Sequence, residues 1–133
     1  MNDCIFCKIA SGEIPAATIY EDDDFRVFLD LAPAAKGHAL IVPKKHAANL
    51  NELPDELAAK AFLLAKKIGG EMLEKLTCDG FNVIQNNGEA AGQTVFHFHM
   101  HVIPRYKGDT AGVGWRPGEL DDETREEILK LWR

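Results

Sequence analysis

The chain has 133 residues and a mass of 14.7 kDa, the length of one domain, and its 46% apolar and 27% charged residues exclude a disordered or collagen-like polymer. Fifteen Lys+Arg against 21 Asp+Glu give a net charge of −6, which disfavours nucleic acid and anionic membrane as partners but leaves room for a small anionic ligand in a locally positive pocket. The longest apolar runs, residues 61–65 and 39–42, fall far short of the ~18 residues of a membrane span. The start Met1-Asn2-Asp3-Cys4 has neither the basic nor the apolar region of a leader peptide, so a cytoplasmic protein is expected.

In chain order, Cys4 and Cys7 form a C-x-x-C pair, and Cys78 makes the cysteine count odd. In a reducing compartment this pattern reads as metal or redox chemistry before it reads as a disulfide. Residues 18–21 and 25–30 are expected as short strands joined by the solvated acidic turn Asp22-Asp23-Asp24, and 39–43 as a buried strand. Pro54-Asp55-Glu56 opens a helix to about Leu76, because Pro suits the first turn and acids suit the positive helix N-terminus. Leu57, Ala61, Leu64, Ile68 and Met72 repeat on its core face, with a kink plausible at Gly69-Gly70. Strands follow at 81–86 and 94–103, separated by a loop at 87–93. Residues 108–118 are irregular, and Asp121 caps a last short helix. The fold class is therefore α+β: a mainly antiparallel sheet of about five strands, one long helix and a short C-terminal helix, in a single domain over 1–133.

The chemistry is concentrated in Phe96-His97-Phe98-His99-Met100-His101-Val102. On a strand of period two, the three histidines share one face, while Phe96, Phe98, Met100 and Val102 share the other and can bury against the helix. Packing does not require three imidazoles in a row. Two functional readings follow: the pair H-x-H ligates a catalytic zinc, or one imidazole is a nucleophile whose neighbours bind an anion. The preceding loop, with Gly88, Gly92 and the side-chain donors of Asn86, Gln93 and Thr94, can turn backbone N–H groups toward an anion and favours phosphate chemistry.

This stretch, from Gly92-Gln93-Thr94 to Val102, resembles the signature of the histidine-triad superfamily, H-φ-H-φ-H-φ-φ with φ apolar. Cys4-Ile5-Phe6-Cys7-Lys8-Ile9, Gly12-Glu13-Ile14-Pro15, Phe28-Leu29-Asp30 and the run from Gly37-His38 to Lys45-His46 are similar, in order and spacing, to its Hint-like branch of bacterial type. The resemblance covers about residues 4–107, and 108–133 is a variable tail able to shape specificity. It implies the histidine-triad fold and a nucleoside-monophosphate hydrolase acting on purine phosphoramidates through a covalent nucleotidyl-histidine. It implies His99 as nucleophile, His101, Gln93 and Thr94 as hydrogen-bond partners of the phosphate, and Asn86 lining the same site. His38 is implied as the remaining active-site histidine, assisting proton transfer. Asp30 is implied as the ribose-binding acid, and Phe6, Ile9, Ile14, Phe28 and Leu31 as walls of the purine slot.

The same resemblance implies one structural zinc held by Cys4, Cys7, His46 and His97, and a homodimer pairing through the long helix and a strand. Closed Cys₂His₂ coordination is structural rather than catalytic. Lys44 and Lys45 are expected to be solvated and Cys78 to be a small core residue. A dinucleoside polyphosphate hydrolase, or a purine-nucleotide-binding module without turnover, are the alternatives.

Overall fold

The computed structural model describes residues 3–133; Met1 and Asn2, which open the segment read above for a leader, lie outside the described residues. The elements are α1 (Ile5–Ala10), β1 (Thr18–Glu21), β2 (Phe25–Leu29), β3 (Ala39–Pro43), α2 (Asp55–Lys75), β4 (Gly80–Ile84), β5 (Met100–Arg105) and α3 (Asp122–Trp132), with a 3-10 turn at Glu89–Ala91. The five strands form one sheet in the order β1-β2-β3-β5-β4, each neighbour antiparallel.

The β1–β2 hairpin closes through Asp22 rather than through a merely solvated acidic run. Its Oδ1 accepts from the N–H groups of Asp24 and Phe25, both at 2.8 Å, and Asp24 itself pairs with Lys60 on α2. All five residues of β3 are buried because both of its faces are covered. Ala39 and Ile41 point with Phe25, Val27, Met100 and Val102 into the core under α2, while Leu40 and Val42 point with Phe28 into a second cluster under α1. Large side chains such as Phe25, Phe98, Ile41 and Ile68 are almost wholly enclosed, each contributing roughly 1.5–3 kcal/mol of transfer free energy.

The helix α2 runs unbroken through Gly69-Gly70. Gly69 has a packing reason: a Cβ built on it would lie 2.3 Å from the Phe81 ring of β4. Phe98, Met100 and Val102 are buried against the α2 side as expected, but Phe96 is half exposed, because the ladder begins only at Met100 and residues 96–99 approach it as irregular chain. Cys78 lies in the core. Asp121 caps α3, accepting from Thr124 N–H at 2.7 Å, and no residue of α3 is buried. No helix among the described residues is long and apolar enough to cross a membrane.

Candidate active site and metal centre

The face of the sheet opposite α2 carries α1 and a cleft of about 770 Å³. Ile5, Phe6 and Ile9 of α1, Ile14, Phe28, Asp30, Leu31 and Leu40 line it, and Thr94, His99 and His101 stand at its polar end. Of the residues expected to wall a purine slot, Phe6 and Phe28 are buried, Ile9 and Ile14 half-buried, and Leu31 stands at the mouth, almost fully exposed. No lysine or arginine lines the cleft among the described residues.

Hydrogen bonds fix which ring nitrogen carries the proton in His38, His97, His99 and His101. His99 Nδ1 lies 2.8 Å from the His97 carbonyl, which only accepts, so Nδ1 is the N–H and Nε2 keeps its lone pair. Phe6 packs edge-on against the His99 ring, centroids 4.9 Å apart. Burial pushes the His99 pKa down, opposed by the bond to the carbonyl and by Asp30, so the ring is neutral at pH 7. His101 is driven lower, to about 4, first by burial and then by the neighbouring His99 and His38. His38 is buried behind the cleft: its Nε2 is 2.9 Å from His101 Nδ1, and its Nδ1 accepts from the Ala34 N–H at 2.9 Å. Burial lowers the His38 pKa too, against Asp30, whose Oδ2 lies 3.6 Å from Nε2. The other Asp30 oxygen accepts from Ala32 N–H at 2.9 Å.

The three loop residues expected at a phosphate divide. Thr94 reaches the cleft; Asn86 and Gln93 do not line it. Gln93 is buried beneath the loop, donating to the carbonyls of Ala48 (2.7 Å) and Val95 (3.0 Å) and accepting from Gly88 N–H (2.8 Å). Asn86 is half-buried beside Gly92, whose φ of +97° only glycine adopts without strain. Three of the loop's main-chain donors are used within the loop itself. The N–H groups of Ala91, Gly92 and Gln93 bond within the turn, to the carbonyls of Gly88, Glu89 and Gly88.

At the other end of α1 a second cluster forms. Cys4 is the N-cap of α1 and its thiol accepts from Cys7 N–H. His97 Nε2 lies 2.8 Å from the Pro43 carbonyl, so Nδ1 turns its lone pair toward Cys4 Sγ and Cys7 Sγ, each 3.4 Å away. His46 Nδ1 joins at 3.3 Å from Cys7 Sγ and 3.1 Å from His97 Nδ1. These separations approach the roughly 3.3–3.6 Å edges of a tetrahedron built from Zn–N and Zn–S bonds of about 2.0 and 2.3 Å. The four residues therefore form a group able to hold a metal ion. Lys44 is partly exposed and pairs with Glu21 at 2.8 Å, and Glu21 also holds Arg26, which bonds the Ile9 carbonyl of α1.

Sequence reasoning missed α1, a six-residue helix whose cap is a thiol, although Phe6, Ile9 and Ala10 have helical spacing. It also missed Ala34, which offers only a main-chain N–H and so leaves no residue-type signal.

The family model described as "HIT domain" matches residues 11–108, and this chain belongs to the HIT family. It is 46% identical over 131 residues to the "Protein hit" of Bacillus subtilis, covering 98% of this chain and 90% of that one. It is 45% identical over 113 residues to the adenosine 5'-monophosphoramidase hnt1 of Schizosaccharomyces pombe, covering 84% and 82%. The crystal structure of a Zn-bound histidine triad family protein from Mycobacterium smegmatis superposes with a TM-score of 0.79 at 39% identity, covering 97% of this chain and 95% of that chain.

Proposed function

We propose that this protein is a cytoplasmic hydrolase of purine nucleotide phosphoramidates, with His99 as the nucleophile. The observation that carries the reading is the His99 Nδ1–H bond to the His97 carbonyl, which leaves a neutral imidazole with Nε2 free beside the cleft. The phosphoramidase relative supports the reaction class. The purine packs between Phe6, Ile9, Ile14, Phe28 and Leu31, and the free oxygen of Asp30 accepts the ribose hydroxyls. His101 and Thr94 donate to the phosphate oxygens, while Asn86 and Gln93 shape the loop that presents Thr94. Nε2 attacks phosphorus, the P–N bond to the amine breaks, and water then displaces His99 to release the nucleoside monophosphate. The absence of a lysine or arginine among the lining residues favours a phosphorus centre bearing one charge over a polyphosphate chain.

Cys4, Cys7, His46 and His97 would hold zinc, which when bound supplies a structural cross-link between α1 and the triad segment. Pairing into a homodimer is part of the same reading; support comes from Phe62, Leu63 and Leu73, large apolar residues exposed on α2, and from β4 at the sheet edge.

The test is His99→Ala. A loss on the order of 10⁴ or more in kcat, about 5 kcal/mol of barrier, is expected with nucleotide binding retained. Two in-line displacements give net retention at a chiral phosphorus, and acid quench traps an acid-labile nucleotidyl-protein at His99. Net inversion without an adduct would point to direct attack by water and overturn the assignment. A panel of AMP–amine conjugates and diadenosine polyphosphates separates this reading from a polyphosphate hydrolase, and binding without turnover of either would reduce the chain to a nucleotide-binding module.

A further inference from the structure

Asp30, His38 and His101 bring three ligand-type atoms as close together as a metal site would. One main-chain group decides against that use. The Ala34 N–H donates to His38 Nδ1 at 2.9 Å, so Nδ1 must stay unprotonated and the ring hydrogen sits on Nε2. Nε2–H then points at His101 Nδ1, 2.9 Å away, which must accept. The only ring hydrogen left to His101 is on Nε2, and His101 lines the cleft. The three groups form a chain of donors running one way, from an amide of the 31–37 loop to the reaction centre.

We propose that the Ala34 N–H is a positioning group that locks this chain, and that the chain stabilises charge at phosphorus without passing a proton. The proposal rests on the phosphoramidase reading of the cleft. Aligned donors polarise one another, so His101 Nε2–H presents a strengthened positive end to the phosphate oxygen. A relay would require each ring to pick up a proton behind as it releases one ahead. The chain ends on a peptide amide, which is not an acid at neutral pH, so a proton given up by His101 could not be replaced. A cationic His38 would set Nδ1–H against the Ala34 N–H, and both rings are already held neutral by burial. The amine released when the P–N bond breaks therefore takes its proton from a water in the open cleft, and the hydroxide so formed is neutralised by the proton shed when water displaces His99 from phosphorus. His38 is on this account a positioning residue, not the proton shuttle that the family resemblance implies.

The experiment has a structural and a kinetic arm. Long-range ¹H–¹⁵N spectra of the ¹⁵N-histidine-labelled full chain should show His38 and His101 both neutral at pH 7 and both in the Nε2–H form. Nδ1–H on His38, or a cationic His38 at that pH, overturns the proposal, and this readout does not depend on turnover. The kinetic arm compares His38→Asn, whose side-chain oxygen still accepts from Ala34, on two AMP substrates. One releases an alkylamine, which needs a proton; the other releases 4-nitrophenolate, which does not. A charge-stabilising chain predicts the same fold-loss in kcat on both, within about threefold, whereas a loss about tenfold or more larger on the amine shows a relay and overturns the proposal. Ala34→Pro deletes the N–H and Ala34→Gly keeps it. The proline variant should populate the Nδ1–H form of His38 and lose kcat with KM little changed, and an unchanged tautomer in a folded proline variant counts against the lock. Failure of the wild-type protein to turn over either substrate removes the hydrolase reading and leaves the tautomer assignment to the spectra.

Discussion

His101 ties the cleft to the pH dependence of the whole protein. Burial, with His99 and His38 nearby, holds its pKa at about 4 instead of the ordinary value near 6.5. Between those two values the unfolded chain binds a proton that the folded protein does not, so stability tied to this residue is complete above pH 6.5 and is lost as pH falls toward 4. His101→Gln should therefore lose less melting temperature than wild type between pH 7 and 4.5; equal slopes for the two proteins would show that His101 is not the group concerned. At Gly69 the expected sign is set by space. Gly69→Ala forces a methyl against the Phe81 ring and should cost about 1–3 kcal/mol, whereas Gly70→Ala, facing open space, should gain up to about 1 kcal/mol from helix propensity. Urea melts of the pair check this, and a destabilised Gly70→Ala would contradict it. At this scale the triad was legible because period-two alternation of a rare residue survives any error in strand boundaries. The burial of Gln93 was not legible, since its partner is the carbonyl of Ala48, 45 residues away, and a carbonyl looks alike in every residue.

Among the elements, α1 links two centres. Its first turn carries Cys4 and Cys7, and Ile5, Phe6 and Ile9 on the same six residues form a wall of the cleft. Zinc is expected near one equivalent in protein purified without chelator. Cys4→Ser with Cys7→Ser should raise the nucleotide KM several-fold more than it lowers kcat, and lower Tm by about 5 °C or more, because a ligand of the folded state stabilises by mass action. Metal-free wild type melting like the double variant supports this; no zinc together with unchanged melting of the variant removes the site. The strands and α2 were readable from hydrophobic period and the Pro54 start, to within a residue or two. The beginning of β5 was not: alternation runs from Phe96, but pairing starts at Met100 opposite Ile41, although β3 continues to Pro43, because the chain before Met100 leaves the ladder and Phe98 N–H bonds the Ala47 carbonyl instead. Local pattern cannot announce where a chain turns from one partner to another.

At the scale of the whole molecule, the outward α2 residues Phe62 and Leu63 and the open edge of β4 lead us to expect sedimentation at twice 14.7 kDa at micromolar concentration. A species of 14.7 kDa alone would exclude the dimer. Sheet order has a different consequence, one for synthesis. The strand made last, β5, lies between β3 and β4, and all five residues of β3 are buried in the finished fold. A nascent chain that has not yet released residue 105 from the ribosome therefore carries an open seam beside its most apolar strand, and neither His46 nor the two cysteines can meet His97. Folding from the N-terminus cannot proceed piecemeal here. The cleft wall, the candidate metal centre and the sheet are completed together, by the same late segment that brings His99.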